Sequence, residues 1–209
     1  MVRSVPVLFW WTVGGISGLT FISLALLAGS HQPLPGDLAA LQWIRGWDSP
    51  PLTQGMRAIT LLGEARVLLP VVLLVGLTLW RHWRTFAIAQ CGLIAAAPIF
   101  EWLMKQWVGR PRPEGASLGF PSGHALAAAV AYGLLAYLLW RRMARPGARW
   151  AVIAFLVVVV AAVGISRIYL HAHWPSDVVG GVTGGLAYLV PALAWLDRGR
   201  GPSGAHSKE

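Results

Sequence analysis

Long runs without a charged side chain alternate along this chain with short, polar stretches. The charge-free runs cover residues 4–36, 67–80, 85–100, 115–140, 150–166 and 178–196. A helix needs about 20 mostly apolar residues to cross roughly 30 Å of hydrocarbon. Allowing charges at the interfacial ends, the pattern predicts six spanning helices, near residues 7–29, 63–81, 85–107, 122–140, 150–170 and 177–196. Glu64 and Arg66 crowd the start of the second. None of the runs alternates apolar and polar residues as a barrel strand would, and lipid tolerates only helices or closed barrels, because every backbone group must be satisfied internally. The expected fold is therefore an all-α integral membrane bundle. Residues 30–62 break the pattern with two shorter amphipathic stretches. Asp37 can cap a helix over Leu38–Ile44, and Pro51 can open one over Leu52–Leu62, both suited to lying along an interface. They would guide an entering lipid chain or simply pack there.

Composition agrees with this reading. Hydrophobic residues make up 56% of 209 positions and charged residues 12%, against about 25% charged in a soluble domain. Mean hydropathy is +0.59. The first run resembles a secretory signal, with Arg3 ahead of it and Leu27-Ala28-Gly29-Ser30 behind. It exceeds the ~7–15 apolar residues of such signals and is expected to be a retained anchor. Of 12 tryptophans, Trp10, Trp11, Trp80, Trp83, Trp107, Trp140, Trp150 and Trp195 fall near expected span ends, as an aromatic belt would; Trp102 reads as a core aromatic. The single cysteine, Cys91, cannot form an intrachain disulfide and has no nearby metal-ligand partner. The chain reads as one membrane domain over 1–198, with a polar tail at 199–209 expected to be disordered.

The net charge of +9 is largely an orientation signal. Arg3, Arg81 and Arg84, the group Arg141, Arg142, Arg145 and Arg149, and Arg198, Arg200 and Lys208 all fall on one side of a six-span chain. Short loops rich in Lys and Arg stay cytoplasmic, so both termini are expected inside the plasma (inner) membrane, and the other loops outside. Nucleic-acid binding would gather these cations on a soluble face instead.

Chemistry concentrates in three segments: Lys105-x6-Arg112-Pro113, Pro121-Ser122-Gly123-His124, and Ser166-Arg167-x5-His173-x3-Asp177. All lie at the outer mouths of apolar runs. Lys105, Arg112 and Arg167 suit a phosphate, whose hydrolysis spreads charge over oxygens that cations stabilise. Arg110, their neighbour, reads as an interfacial or lipid-headgroup contact. Pro121 in a first turn, followed by Ser122 and Gly123, leaves backbone N–H groups to meet an anion, with His124 over it. Asp177, four residues after His173, can hold that imidazole in one tautomer and leave its other nitrogen free to attack phosphorus. No Cys, His or carboxylate cluster has metal-ligand spacing, so neither metal nor cofactor is expected.

These segments, without a gap in spacing, resemble the signature of the type 2 phosphatidic acid phosphatase superfamily over residues 60–197. The resemblance implies a metal-independent lipid phosphatase. In it His173 would form a phosphohistidine, Asp177 would orient it, and His124 would protonate the leaving oxygen and then activate water. Lys105, Arg112, Ser122, Gly123 and Arg167 would hold the phosphate. His171, His31, His82 and His206 fall outside the signature, and Glu101 is expected only to pair with Lys105 one turn later. A lipid phosphotransferase using the same intermediate, or a non-catalytic lipid binder or transporter, remain alternatives. The expected substrate is a membrane lipid phosphate or diphosphate, with an undecaprenyl-type diphosphate slightly ahead of phosphatidylglycerol phosphate and phosphatidic acid; no nucleic acid or obligate protein partner is expected.

Overall fold

The computed structural model describes residues 6–80 and 84–198. Its elements in chain order are α1 (Val7–Ala28), α2 (Asp37–Arg45), α3 (Pro50–Thr60), a 3₁₀ turn (Leu61–Gly63), α4 (Ala65–Trp80), α5 (Arg84–Val108), α6 (Gly123–Arg142), α7 (Pro146–Tyr169) and α8 (Pro175–Arg198). Among the described residues there is no strand, only an isolated bridge between Pro111 and Leu118. The expected tail, and Arg81, His82 and Trp83, lie outside the described residues.

Four described helices are long and apolar enough to cross a membrane: Leu8–Ala28, Gly123–Arg142, Pro146–Tyr169 and Pro175–Trp195. The chain is an integral membrane protein. The other two expected spans differ from these. α4 has 16 residues, about 24 Å at 1.5 Å per residue, short of the ~30 Å hydrocarbon layer. α5 has 25 residues but carries Glu101 and Lys105 in its last two turns.

α6 is the centre of the bundle, packed on α8, α7 and α5, while α1 runs along α8. Small residues make this possible. A side chain at Gly181 would lie 2.5 Å from the Ser122 carbonyl oxygen, and one at Gly185 would lie 2.8 Å from that of Leu126. Glycines four apart on α8 thus let its backbone rest on the first turns of α6, the small-xxx-small device of membrane helices. Far from the site, Trp10, Leu134, Tyr137, Leu189 and Leu193 form one buried cluster; nearer to it, Phe21, Ala25, Ala28, Val108 and Phe120 form another. Two tryptophans depart from expectation. Trp10 is buried against Tyr137, because α1 turns that face to α8, whereas Trp102 is 59% exposed on the outer side of α5.

α2 and α3 form where the sequence placed two short helices, and both pack onto the end of α7. α3 is pinned there: Thr53 Oγ1 and Tyr169 Oη are 3.0 Å apart, and Tyr169 Oη donates to Asp48 Oδ1 at 3.0 Å. At the opposite end of α6 and α7, Arg149 is buried with its guanidinium 4.1 Å from the Trp140 ring centroid.

Candidate active site

α5 ends because Gly109, at φ +67°, takes the left-handed conformation, and its N–H caps the Lys105 carbonyl. His31 Nε2, 3.0 Å from the Val108 oxygen, holds the same terminus. The chain then folds back on itself: Arg112 N–H donates to Ser117 O at 3.2 Å, Gly119 N–H to Arg110 O at 2.7 Å, and the Arg112 Nε to Leu118 O at 3.2 Å. Ser122 N–H closes the loop onto the Asp177 carbonyl at 3.0 Å. α6 begins at Gly123 with Ser122 as its extended N-cap, so Pro121 lies ahead of the cap and not in the first turn as the sequence suggested. The Ser122 hydroxyl does not cap the helix. It is buried without a partner.

The start of α4, the second half of α5 and the first half of α6 surround a cavity of about 840 Å³. Lys105, Arg112, Gly123, His124 and His173 line one end of it. Ser122, Arg167 and Asp177 are not on its wall but stand beside groups that are. Arg167 donates to Thr60 Oγ1 at 2.8 Å, leaves its Nε buried and unpartnered, and sits close enough, with Arg112, to act electrostatically on His173. All eight residues singled out in the sequence therefore gather at the junction of the α5–α6 loop, the end of α7 and the start of α8. The start of α6, and cations from α5, the loop after it and α7, are groups of the kind that suit an anion.

His173 is 1% exposed and its Nδ1 lies 3.6 Å from Asp177 Oδ2, a charge contact slightly longer than a hydrogen bond. Burial pushes the imidazole below the usual histidine range, Asp177 pulls it back up, and Arg112 and Arg167 lower it further. A neutral ring with Nδ1 turned to a carboxylate can present Nε2 as a nucleophile.

Arg110 corrects the sequence reading. It is not a surface or headgroup contact: it is fully buried between two carboxylates, donating to Asp177 Oδ1 at 2.8 Å and to Asp37 Oδ2 at 2.7 Å. It also donates to Ser176 Oγ at 2.7 Å and stands 5.6 Å from the Trp174 ring centroid. Asp37 differs too. Gly36, not Asp37, is the N-cap of α2, and the Asp37 carboxylate instead accepts the Ser176 N–H at 2.9 Å and its hydroxyl at 2.6 Å. Asp37 thus caps α8 from the first residue of α2. Buried charges are tolerated only when paired and hydrogen-bonded, and this network fixes the carboxylate that faces His173.

Comparison with known proteins follows the same residues. The family model described as the PAP2 superfamily matches residues 114–200, which takes in the second and third segments and starts after Lys105 and Arg112. Phosphatidylglycerophosphatase B of Bacillus subtilis is 32% identical over 145 residues, 66% of this chain and 71% of that protein. The chain belongs to the PAP2 superfamily. It is a phosphoric monoester hydrolase of the lipid phosphatase type. Decaprenylphosphoryl-5-phosphoribose phosphatase of Mycobacterium tuberculosis is 31% identical over 146 residues, 65% of this chain and 75% of that one. The crystal structure of a transmembrane PAP2 type phosphatidylglycerolphosphate phosphatase from Bacillus subtilis superposes with a TM-score of 0.76 at 26% identity, covering 87% of this chain and 96% of that one.

Beside the PAP2 signature residues the cavity holds two carboxylates. Glu101 pairs with Lys105 at 2.5 Å, as its spacing suggested, but it also lies against the α-carbon of Gly123, where an added side chain would collide with its carboxylate. Glu64, read in the sequence only as a charge crowding a span, pairs with Arg66 and has Oε1 4.0 Å from His124 Nε2. The sequence carried one hint, since a charge at the head of an apolar run is costly unless it has a use. His171 stays outside the cavity, 3.3 Å from Glu114, which Arg45 also holds at 3.0 Å.

Proposed function

We propose that this protein is a multi-pass lipid phosphatase that passes the phosphoryl group of a membrane lipid through His173 to water. The observation that carries the lipid substrate is the cavity itself. It runs from Lys105, Arg112, His124 and His173 to a wall of Leu68, Leu69, Ile94, Ala97, Leu126 and Val130, joining an anion-binding end to an apolar one. Each buried CH₂ of a lipid chain contributes about 0.8 kcal/mol. A few methylenes therefore favour a lipid over a soluble ester by orders of magnitude in affinity. The relatives named above act, by their names, on phosphatidylglycerophosphate and on decaprenylphosphoryl-5-phosphoribose, both lipids.

In this reading Lys105, Arg112, Arg167, the Ser122 hydroxyl and the N–H groups of Gly123 and His124 hold the phosphate oxygens. His173 Nε2 attacks phosphorus, the bond from phosphorus to the lipid oxygen breaks, and His124 gives that oxygen its proton. The lipid alcohol leaves. Water then attacks the phosphohistidine, His124 takes its proton, and inorganic phosphate departs with His173 restored. Asp177 stabilises the ring while it carries the phosphoryl group. Cations and helix N–H groups supply the stabilisation that a metal gives elsewhere. α4 and α5 complete six spans, with the site on the outer face of the inner membrane.

Rapid quench with ³²P-labelled lipid phosphate tests the mechanism: an acid-labile, base-stable labelled enzyme should form, be absent in His173→Ala, and form equally in EDTA. Label appearing on an added lipid alcohol, with no free phosphate, would instead establish the phosphotransferase reading. No turnover of any lipid phosphate would refute both.

A further inference from the structure

The cavity wall carries charge of both signs. Lys105, Arg112 and Arg66 line it, and so do the carboxylates of Glu101 and Glu64. Both carboxylates are fixed in place. Glu101 rests on Gly123 at the first turn of α6, held by Lys105, and Glu64 is held by Arg66 within 4.0 Å of His124 Nε2. His124 is the group that faces the leaving oxygen in the mechanism above, and Glu64, 4.0 Å from its Nε2, and Glu101, against the neighbouring Gly123, are the carboxylates set near whatever the substrate carries beyond that oxygen. When Lys105 turns to the scissile phosphate, Glu101 loses its cation and remains an acceptor with no donor.

We infer that Glu64 and Glu101 are specificity-determining residues that select a phosphomonoester borne on a hydroxylated linker, such as a glycerol or a sugar, over a diphosphate. The inference rests on the lipid phosphatase reading and names the substrate class within it. A hydroxyl beyond the leaving oxygen donates to a carboxylate, and hydrogen bonds to charged groups are the stronger ones. A second phosphate in the same place offers only acceptors and a like charge, an arrangement that costs binding. Arg66 is engaged by Glu64 and, unlike Lys105, is not part of the phosphate seat, so it leaves the sign at Glu101 unchanged. This reverses the order expected from the sequence, in which the undecaprenyl-type diphosphate came first.

The test is phosphate release by the full-length protein in mixed micelles from three lipids: phosphatidylglycerol phosphate, which has a hydroxylated linker; phosphatidic acid, which has neither a linker hydroxyl nor a second phosphate; and undecaprenyl diphosphate. The expected order of kcat/KM is as written. Glu101→Gln and Glu64→Gln should each raise the ratio of diphosphate to phosphatidic acid turnover by ~10-fold, the size of one charge-assisted contact, and should narrow the advantage of phosphatidylglycerol phosphate. Because ratios are taken within one preparation, partial loss of folded protein cancels, as does any common effect of freeing Lys105. Ratios unchanged in both variants, or a wild-type preference for the diphosphate, would overturn the inference while leaving lipid phosphatase activity intact. Release from none of the three would overturn the lipid phosphatase reading and the inference together.

Discussion

Arg110 sits in a contiguous Gly109-Arg110-Pro111-Arg112-Pro113 run, yet its two carboxylate partners are 73 and 67 residues away. Arg110→Ala would leave Asp37 and Asp177 buried and facing each other without a cation. Removing one member of a buried ionic network costs about 3–5 kcal/mol. The detergent-solubilised variant should unfold at clearly lower temperature and lose most of its activity, and Arg110→Lys, with one point charge for two carboxylates, should recover only part of either. A wild-type melting temperature in Arg110→Ala would show that the pairing does not support the fold. His173 yields a second prediction. Burial holds its imidazole below the usual histidine range, with Asp177 opposing, so the neutral nucleophile persists to pH values below ~6.5. Phosphate release should therefore keep its acid limb below that pH, and Asp177→Asn, which removes the opposing influence, should shift the limb further down while lowering the maximal rate. A limb that moved upward in Asp177→Asn would contradict the arrangement. His173 and Asp177 were readable in the sequence because their partnership is local, one turn apart. The Arg110–Asp37 contact was not, since no spacing rule connects a loop residue to a carboxylate dozens of positions earlier; the only trace was a second arginine in a short loop where one sufficed.

What joins these residues is a helix pair. The histidines come from α6 and from the segment just before α8, and the distance between them depends on how closely the two helices approach. Gly181 decides this, because a methyl group there would stand 2.5 Å from the Ser122 carbonyl and 2.9 Å from the Ala125 side chain. Backbone cannot yield as a long side chain does. Gly181→Ala should displace the start of α6, where Ser122, Gly123 and His124 lie, and lower kcat/KM by ~10-fold or more, the cost of ångström-scale misplacement in a preorganised site. Gly15→Ala, on α1 with no atom near the added methyl, serves as the control and should behave as wild type. Equal activity in the two variants would mean that the α6–α8 approach has slack. Helix positions were largely legible in the hydrophobic runs, since period and length are local properties. Which helix face carries the close contact was not, because Gly180, Gly181, Gly184 and Gly185 read alike in sequence and only the packed bundle assigns two of them to α6 and the others to Phe120 and Phe21.

At the scale of the whole molecule the bundle has two unlike ends. One carries the loop after α5, the end of α7 and the start of α8, with the cationic part of the cavity; the other carries Arg141 and Arg142 at the end of α6, Arg145 after it and Arg149 in the first turn of α7. Since short loops rich in arginine are retained in the cytoplasm, the second end should face inward and the site outward, the arrangement the sequence suggested from its loop charges alone. Six crossings with both termini inside satisfy this, and they require α4 to cross despite its 16 described residues. A short helix crosses when the bilayer thins beside it or flanking residues snorkel. Cysteine labelling on a Cys91→Ala background decides the matter, with one reporter at Gly147, which has open space around it, and another at Ala116, which is exposed in the loop after α5. An impermeant maleimide applied to spheroplasts should label the Ala116→Cys protein at once and the Gly147→Cys protein only after lysis. The reverse pattern would turn the site toward the cytoplasm, and labelling of both before lysis would mean that the two ends lie on the same side, leaving an odd number of crossings between them impossible.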